Sequence, residues 1–194
     1  GIWQTVWMEA VSENYIASYK ATPDIDKGVI EIKTDIIGEG SLKIKIFDGE
    51  TLVNEKEISD NEAVAVPGMK LWSPESPFLY DVTYTVKDKD GKVIDEVKSY
   101  VGMRKVHLAN GYFYLNNQPY YQRLVLDQGF YPDGVWTAPS DEALRKDIEL
   151  AKAVGFNGAR LHQKVFEERY YYWADKLGYI TWGESASWGL NVNS

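Results

Sequence analysis

The sequence predicts a β-sandwich followed by an α/β unit built on parallel strands. Three observations predict it: apolar residues recur with a period of two over positions 29–98, the period becomes helical after residue 140, and hairpin dipeptides or glycines stand at the junctions.

The alternation is cleanest in Ile30-Glu-Ile-Lys-Thr-Asp-Ile36 and Leu42-Lys-Ile-Lys-Ile46, where every second side chain would face a core. Residues 53–58, 63–66, 80–86 and 93–101 add short strands, with Asp48-Gly49 and Asp90-Gly91 as hairpin turns. About seven strands in such a length predict a two-sheet sandwich of immunoglobulin type. No residue in it suggests catalysis. Within Leu71-Trp-Ser-Pro-Glu-Ser-Pro-Phe-Leu-Tyr80, Pro74 and Pro77 remove two backbone donors, so the stretch is expected to be a rigid extended crossing. Trp72 and Tyr80 are expected to cap one end of the sandwich.

After Gly102-Met-Arg-Lys105 the pattern changes. Phe113-Tyr-Leu-Asn-Asn-Gln-Pro-Tyr-Tyr121 predicts a tight hairpin around Asn116-Asn117, and Gln122-Arg-Leu-Val-Leu-Asp127 a mostly apolar, buried strand. Ser140 is placed to cap a helix with Asp141 and Glu142 in its first turn and Leu144, Ile148 and Ala151 on one face; Gly155 ends it. Residues 156–161 then form a short strand, residues 166–177 a second helix stopped by Gly178, and residues 179–184 a third strand. Strands alternating with helices at this spacing are parallel βα units and predict the opening of a (β/α)8 TIM barrel. A whole barrel takes about 250 residues and eight strands, of which about three are predicted here.

Composition narrows the function. The chain has 194 residues, 44% of them hydrophobic, enough for one or two cored domains. A net charge of −8 argues against nucleic acid, whose phosphates are held by clustered Lys and Arg. No stretch reaches the roughly 20 apolar residues that span a bilayer, so no membrane partner is expected. The start, Gly1-Ile-Trp-Gln4, resembles neither an initiator Met nor a signal peptide, and the protein's own N-terminus is expected elsewhere. Absence of cysteine excludes disulfides, cysteine nucleophiles and thiolate zinc sites, and leaves the compartment open. With two histidines, a transition-metal cage is not expected, and no cofactor is implied.

In barrels of this kind function gathers at the carboxyl ends of the strands. Position alone therefore nominates Asp127 and Gln128, then Arg160, His162 and Gln163, then Glu184. An arginine and carboxylates at the ends of neighbouring strands need partners or water. They form either an ion-pair network, Arg160 with Glu184 or Asp127, or the wall of a pocket. His162 fits either a loop hydrogen bond or a substrate contact.

Several of these segments, taken in order, resemble glycoside hydrolase family 2, the group of β-galactosidases, β-glucuronidases and β-mannosidases. They are Tyr131-Pro-Asp-Gly134, Thr137-Ala-Pro-Ser-Asp-Glu142, Asp147-Ile-Glu-Leu-Ala-Lys152, Gly155-Phe-Asn-Gly-Ala-Arg160, His162-Gln-Lys164, Tyr172-Trp-Ala-Asp-Lys-Leu-Gly178 and Trp182-Gly-Glu184. Gly1-Ile-Trp-Gln-Thr-Val-Trp-Met-Glu9 is similar to the closing strand of that family's sugar-binding β domain, and residues 71–80 to the signature of its immunoglobulin-like middle domain. The resemblance divides the chain into residues 1–13, the end of the sugar-binding domain; 14–103, the sandwich; and 104–194, the start of the barrel.

The resemblance implies a retaining glycosidase, in which one carboxylic acid protonates the leaving oxygen and a second carboxylate forms the glycosyl-enzyme. In the family those glutamates follow the fourth and seventh strands, so the chain is expected to hold neither and to be inactive alone. Glu184 corresponds to a supporting acid, and Arg160 to the arginine that orients the acidic cluster. β-Galactosidase-like members carry Arg-Gly-Val-Asn-Arg-His-Glu where this chain has Arg123-Leu-Val-Leu-Asp-Gln-Gly129; by position Gln128 and Gln163 each replace a sugar-contacting histidine. Where members with a magnesium site read Glu-Thr-His-Gly, this chain reads Trp188-Gly-Leu-Asn191, and no metal is carried over. The expected partner is a β-glycoside, together with a second copy of the chain through the open barrel edge. The alternative is a non-catalytic binding or scaffolding module whose sandwich holds carbohydrate or a protein.

Overall fold

The structure, a computed structural model, describes residues 4–59 and 61–186. They group into two compact units, one of residues 8–72 and 78–119, the other of residues 4–7, 73–77 and 120–186.

The first unit holds seven strands in two antiparallel sheets: β1 (Tyr15–Asp24), β2 (Val29–Ile37), β3 (Ser41–Asp48), β4 (Thr51–Ile58), β5 (Glu62–Ala65), β6 (Tyr80–Lys87) and β7 (Val93–Val101). The sheet orders are β1-β2-β5 and β4-β3-β6-β7. The period of two explains the burial directly: Ile30, Ile32 and Thr34 point inward while Glu31, Lys33 and Asp35 point to solvent. Ile30, Ile44, Ile46, Val64, Tyr84 and Val86, all wholly buried, draw both sheets into one core. Each such side chain contributes about 1.5–3 kcal/mol of burial, which makes the sandwich a stable platform. Trp72 and Tyr80 are buried as expected, and the Tyr80 hydroxyl accepts the Lys70 N–H at 2.7 Å.

A small meander follows, β8 (Val106–Ala109), β9 (Tyr112–Leu115) and β10 (Gln118–Pro119). Both of its turns use residues that tolerate positive φ: Asn110 and Gly111 at 51° and 79°, then Asn116 and Asn117 at 52° and 63°. Two-residue hairpins of type I′ require that conformation at both central positions. The second turn is the one predicted from sequence.

The second unit carries a parallel sheet, β11 (Leu124–Asp127), β12 (Gly158–Leu161) and β13 (Ile180–Gly183), with helices α1 (Asp141–Ala153) and α2 (Glu168–Leu177). Ser140 caps α1 by accepting the Ala143 N–H at 3.1 Å. At its far end the Gly155 and Phe156 N–H groups return to Lys152 and Ala151, with Gly155 at φ 100°. Leu144 and Ile148 of α1, Tyr170 and Ala174 of α2, and Ala159, Leu161 and Tyr179 of the sheet region form its core. The helices are also joined by Arg169, whose Nε and Nη2 each donate to Asp141 at 2.8 Å; this pairing, helped by the Trp173 indole, holds the Asp141 carboxyl down to about 2. Among the described residues no helix is long and apolar enough to cross a membrane.

Five local features depart from expectation. Strand β1 is not foreshadowed by a period of two, because only Ile16 along it is buried and it shows no alternation. Residues 73–76 form a tight turn rather than an extended crossing, with Ser73 and Ser76 exchanging N–H···O bonds at 3.0 and 3.1 Å; Pro74 supplies the fixed φ that starts such a turn. Strand β11 is not buried, Leu126 being 53% exposed, because only β12 flanks it among the described strands. Helix α2 starts two residues later than expected, after Glu167, whose extended backbone (ψ 144°) leaves Phe166 free to enter the core. Of the segment read as a closing strand, residues 1–3 lie outside the described residues and residues 5–12 form no strand.

Candidate functional site

Parallel pairing sets the geometry. Asp127, Leu161 and Gly183 stand opposite one another, so the three strands end level and the polar residues that follow emerge together. Close packing permits this: a Cβ on Gly158 would lie 2.3 Å from the Ile180 carbonyl oxygen and 2.7 Å from Leu124 Cδ2. Buried Asn157 braces the other end of the same strands. Its Oδ1 accepts the Arg123 N–H at 2.7 Å while its amide donates to the Tyr121 carbonyl at 2.9 Å.

The six nominated residues fall into three groups. Arg160 donates from Nε to Glu184 Oε1, and the other carboxylate oxygen of Glu184 accepts the Gln163 N–H at 3.2 Å. The Arg160 bond, with a smaller contribution from Gln163, holds the Glu184 carboxyl below the usual carboxylate range. Gln163 itself sits at φ 56°, an uncommon conformation for a residue with a side chain, and its N–H meets the carboxylate from there. Gln128 and His162 form the second group, Nε2 to Nδ1 at 3.0 Å. Asp127 is occupied differently. Its Oδ1 accepts the Gly129 N–H at 2.7 Å, its Oδ2 the Tyr170 hydroxyl at 3.3 Å, and its carbonyl the His162 N–H at 2.7 Å. Of the two ion pairs considered from sequence, the one with Glu184 forms.

Three further participants are not among the nominated residues. Lys164 is 4% exposed, and its ammonium donates to the carbonyls of Gly129 at 2.9 Å and Trp136 at 2.7 Å. Burial pushes that ammonium below its ordinary value. Tyr170, buried under Asp127, has its hydroxyl pushed far up by burial and then by the carboxylate. Tyr131 donates to Asp147 at 2.7 Å, and burial raises both groups. A lysine in a loop is ordinarily solvated, and only the fold reveals that this one is enclosed.

Among the described residues no three His, Cys, Asp or Glu side chains come together as a cation site requires. The stretch Trp188-Gly-Leu-Asn191, compared with a magnesium motif above, lies outside the described residues. A groove of about 300 Å3 runs beside the start of α2, lined by Gln4, Thr5, Trp7, Glu167, Glu168 and Arg169; it includes none of the six nominated residues.

Comparison with known proteins agrees with this architecture. Residues 14–104 match the family described as Glycosyl hydrolases family 2. The chain is 28% identical over 191 residues to a β-galactosidase of Lactococcus lactis, which spans 95% of this chain and 19% of the relative. It is 30% identical over 203 residues to a putative β-glucuronidase of Formosa agariphila, covering 95% of this chain and 24% of the relative. Among solved structures, a β-glucuronidase of Ruminococcus gnavus superposes with a TM-score of 0.80 at 22% identity over 87% of this chain and 30% of that one, a likeness of fold. The chain thus spans about a fifth to a quarter of the length of these curated relatives. The chain is homologous to a small part of β-galactosidases and β-glucuronidases, and its residues 14–104 match the Glycosyl hydrolases family 2 model.

Proposed function

We propose that this chain is a segment of a retaining, β-galactosidase-like glycosidase. Residues 1–13 close a sugar-binding domain, residues 14–103 are its immunoglobulin-like sandwich, and residues 104–194 open its (β/α)8 TIM barrel. In this reading Arg160, His162, Gln163, Glu184, Gln128 and Asp127 line the sugar pocket without performing bond cleavage. Arg160 fixes Glu184 as a carboxylate, the Gln128–His162 pair presents a hydrogen-bonding edge to sugar hydroxyls, and Asp127 shapes the loop behind them. The general acid and the nucleophile follow later strands, so the segment binds and orients but does not cleave.

The observation that carries the reading is the level ending of three parallel strands, with the Arg160–Glu184 pair reaching from the last residues of the middle strand and the Gln128–His162 pair just beyond the ends. Sandwich order supports it too: three strands facing four, β1-β2-β5 against β4-β3-β6-β7, is an arrangement that immunoglobulin-like domains use.

The test is hydrolysis by the purified chain of aryl β-galactoside, β-glucuronide, β-mannoside and β-glucoside, with Glu184→Gln alongside. No turnover above background is expected on any of the four. Turnover that disappears in Glu184→Gln would overturn the reading, since a complete site would then exist with Glu184 at its chemical centre.

A further inference from the structure

The loop between β11 and α1 is unusually well fastened for a surface loop. Gly129 is held by Asp127 Oδ1 and by Lys164, the Tyr131 hydroxyl by Asp147, the Trp136 carbonyl by Lys164 again, and the Ala138 N–H by Glu167 Oε1 at 3.3 Å. Inside it, Tyr131 and Val135 exchange N–H···O bonds at 3.0 and 2.9 Å. Two glycines leave no room for a side chain. A Cβ at Gly134 would lie 1.9 Å from the Thr137 carbonyl oxygen, and one at Gly129 2.7 Å from the Lys164 ammonium.

That fastening maintains a strained residue and displays aromatic surface. Val135 lies at φ 56°, a left-handed conformation that a β-branched side chain strongly disfavours. Such strain costs on the order of 1–3 kcal/mol and persists where the surroundings impose it, commonly at ligand sites. On either side of Val135, Phe130 and Trp136 meet with ring centroids 4.8 Å apart, tilted by 47°. Yet these rings remain 56% and 43% exposed. A loop folded only to bury its apolar residues would have turned them inward.

We propose that Phe130 and Trp136 form a stacking platform for a pyranose ring of a β-linked saccharide, held in place by the buried Lys164. The inference rests on the glycosidase reading above and adds a subsite to it. The chemistry selects the ligand. A pyranose has an apolar C–H face that packs on an aromatic ring and a rim of hydroxyls that needs planar hydrogen-bonding partners. The chain supplies both in contiguous sequence: Gln128 precedes Gly129-Phe130, and His162-Gln163 precede the anchor Lys164. An apolar peptide on the same platform would leave the polar edge unanswered.

The experiment is saturation-transfer NMR on the intact chain with cellobiose at millimolar concentration, comparing wild type, Trp136→Ala, Phe130→Ala, and the Gln128→Ala Glu184→Gln double variant. Far-UV circular dichroism checks each fold, and Phe130→Ala removes the more exposed ring should Trp136→Ala perturb the loop. Wild type is expected to transfer saturation chiefly to the axial H1, H3 and H5 protons of one sugar ring, and loss of either aromatic to weaken binding about tenfold. Transfer unchanged in both aromatic variants, or absent from wild type, overturns the platform. Binding lost only in the double variant leaves the strand-end pocket standing without the platform. Binding lost only in the aromatic variants does the reverse.

Discussion

Lys164 shows how a single residue can organise the end of a parallel strand. Its ammonium lies where water should not be, and the two carbonyls it satisfies belong to separate points of one loop. Removing it leaves those carbonyls short of a donor, so Lys164→Met is expected to destabilise the second unit by about 2 kcal/mol at neutral pH. The pH dependence has a definite sign. Burial lowers the folded-state pKa below the ordinary lysine value of 10.5, outweighing the upward pull of Glu167 and Asp127. The folded state therefore gives up its proton first, and the burial penalty is present in full at neutral pH and released as pH rises towards 10.5. Wild type should gain stability relative to Lys164→Met over that alkaline interval, read from urea midpoints in parallel series. A difference that shrinks on raising the pH would contradict the assignment. None of this was visible in His162-Gln-Lys164, because a lysine in a polar tripeptide carries no mark of its enclosure; strand-end position, by contrast, offers Arg160 either Glu184 or Asp127 as a partner, and it pairs with Glu184.

At the scale of elements, local chemistry was legible wherever it acts through the residue's own backbone. Ser140 as a cap, Gly155 and Gly178 as helix stops and Asn116-Asn117 as a hairpin turn all work within a few residues of themselves. Two elements escaped: β1, whose outward face carries no alternation and whose place is set by a partner strand, and the Ser73–Ser76 turn, a local device whose prolines suit an extended path equally well. Gly158 and Ser140 allow the two kinds of determinant to be compared. Ser140→Ala removes one capping bond and should cost about 1 kcal/mol. Gly158→Ala drives a methyl against the Ile180 carbonyl in the middle of the parallel sheet, which cannot yield without breaking strand pairing, and should cost about 3 kcal/mol. Chemical denaturation of the two variants orders them, and a milder effect at Gly158 would mean that β12 and β13 are less closely coupled than their register indicates.

For the whole molecule the decisive feature is the open sheet. In the register row Leu126, Arg160, Trp182, one face of three parallel strands carries a charge between two large apolar residues that are 53% and 44% exposed. Parallel sheets are normally covered on both faces, and an uncovered edge strand offers unpaired N–H and C=O groups to any similar strand. Among the described residues β11 and β13 each have one neighbour, so both edges of this sheet lie open. A second copy of the chain can supply the same strands, with its own apolar row to match. The chain is therefore expected to self-associate as its concentration rises, seen in sedimentation velocity as a boundary shifting from monomer towards dimer. Leu126→Lys, which places a charge on the edge strand β11, should hold it at monomer without altering the sandwich, because edge charges are the usual defence against such pairing. A single monomeric boundary for wild type at every concentration would show that the edges are already protected.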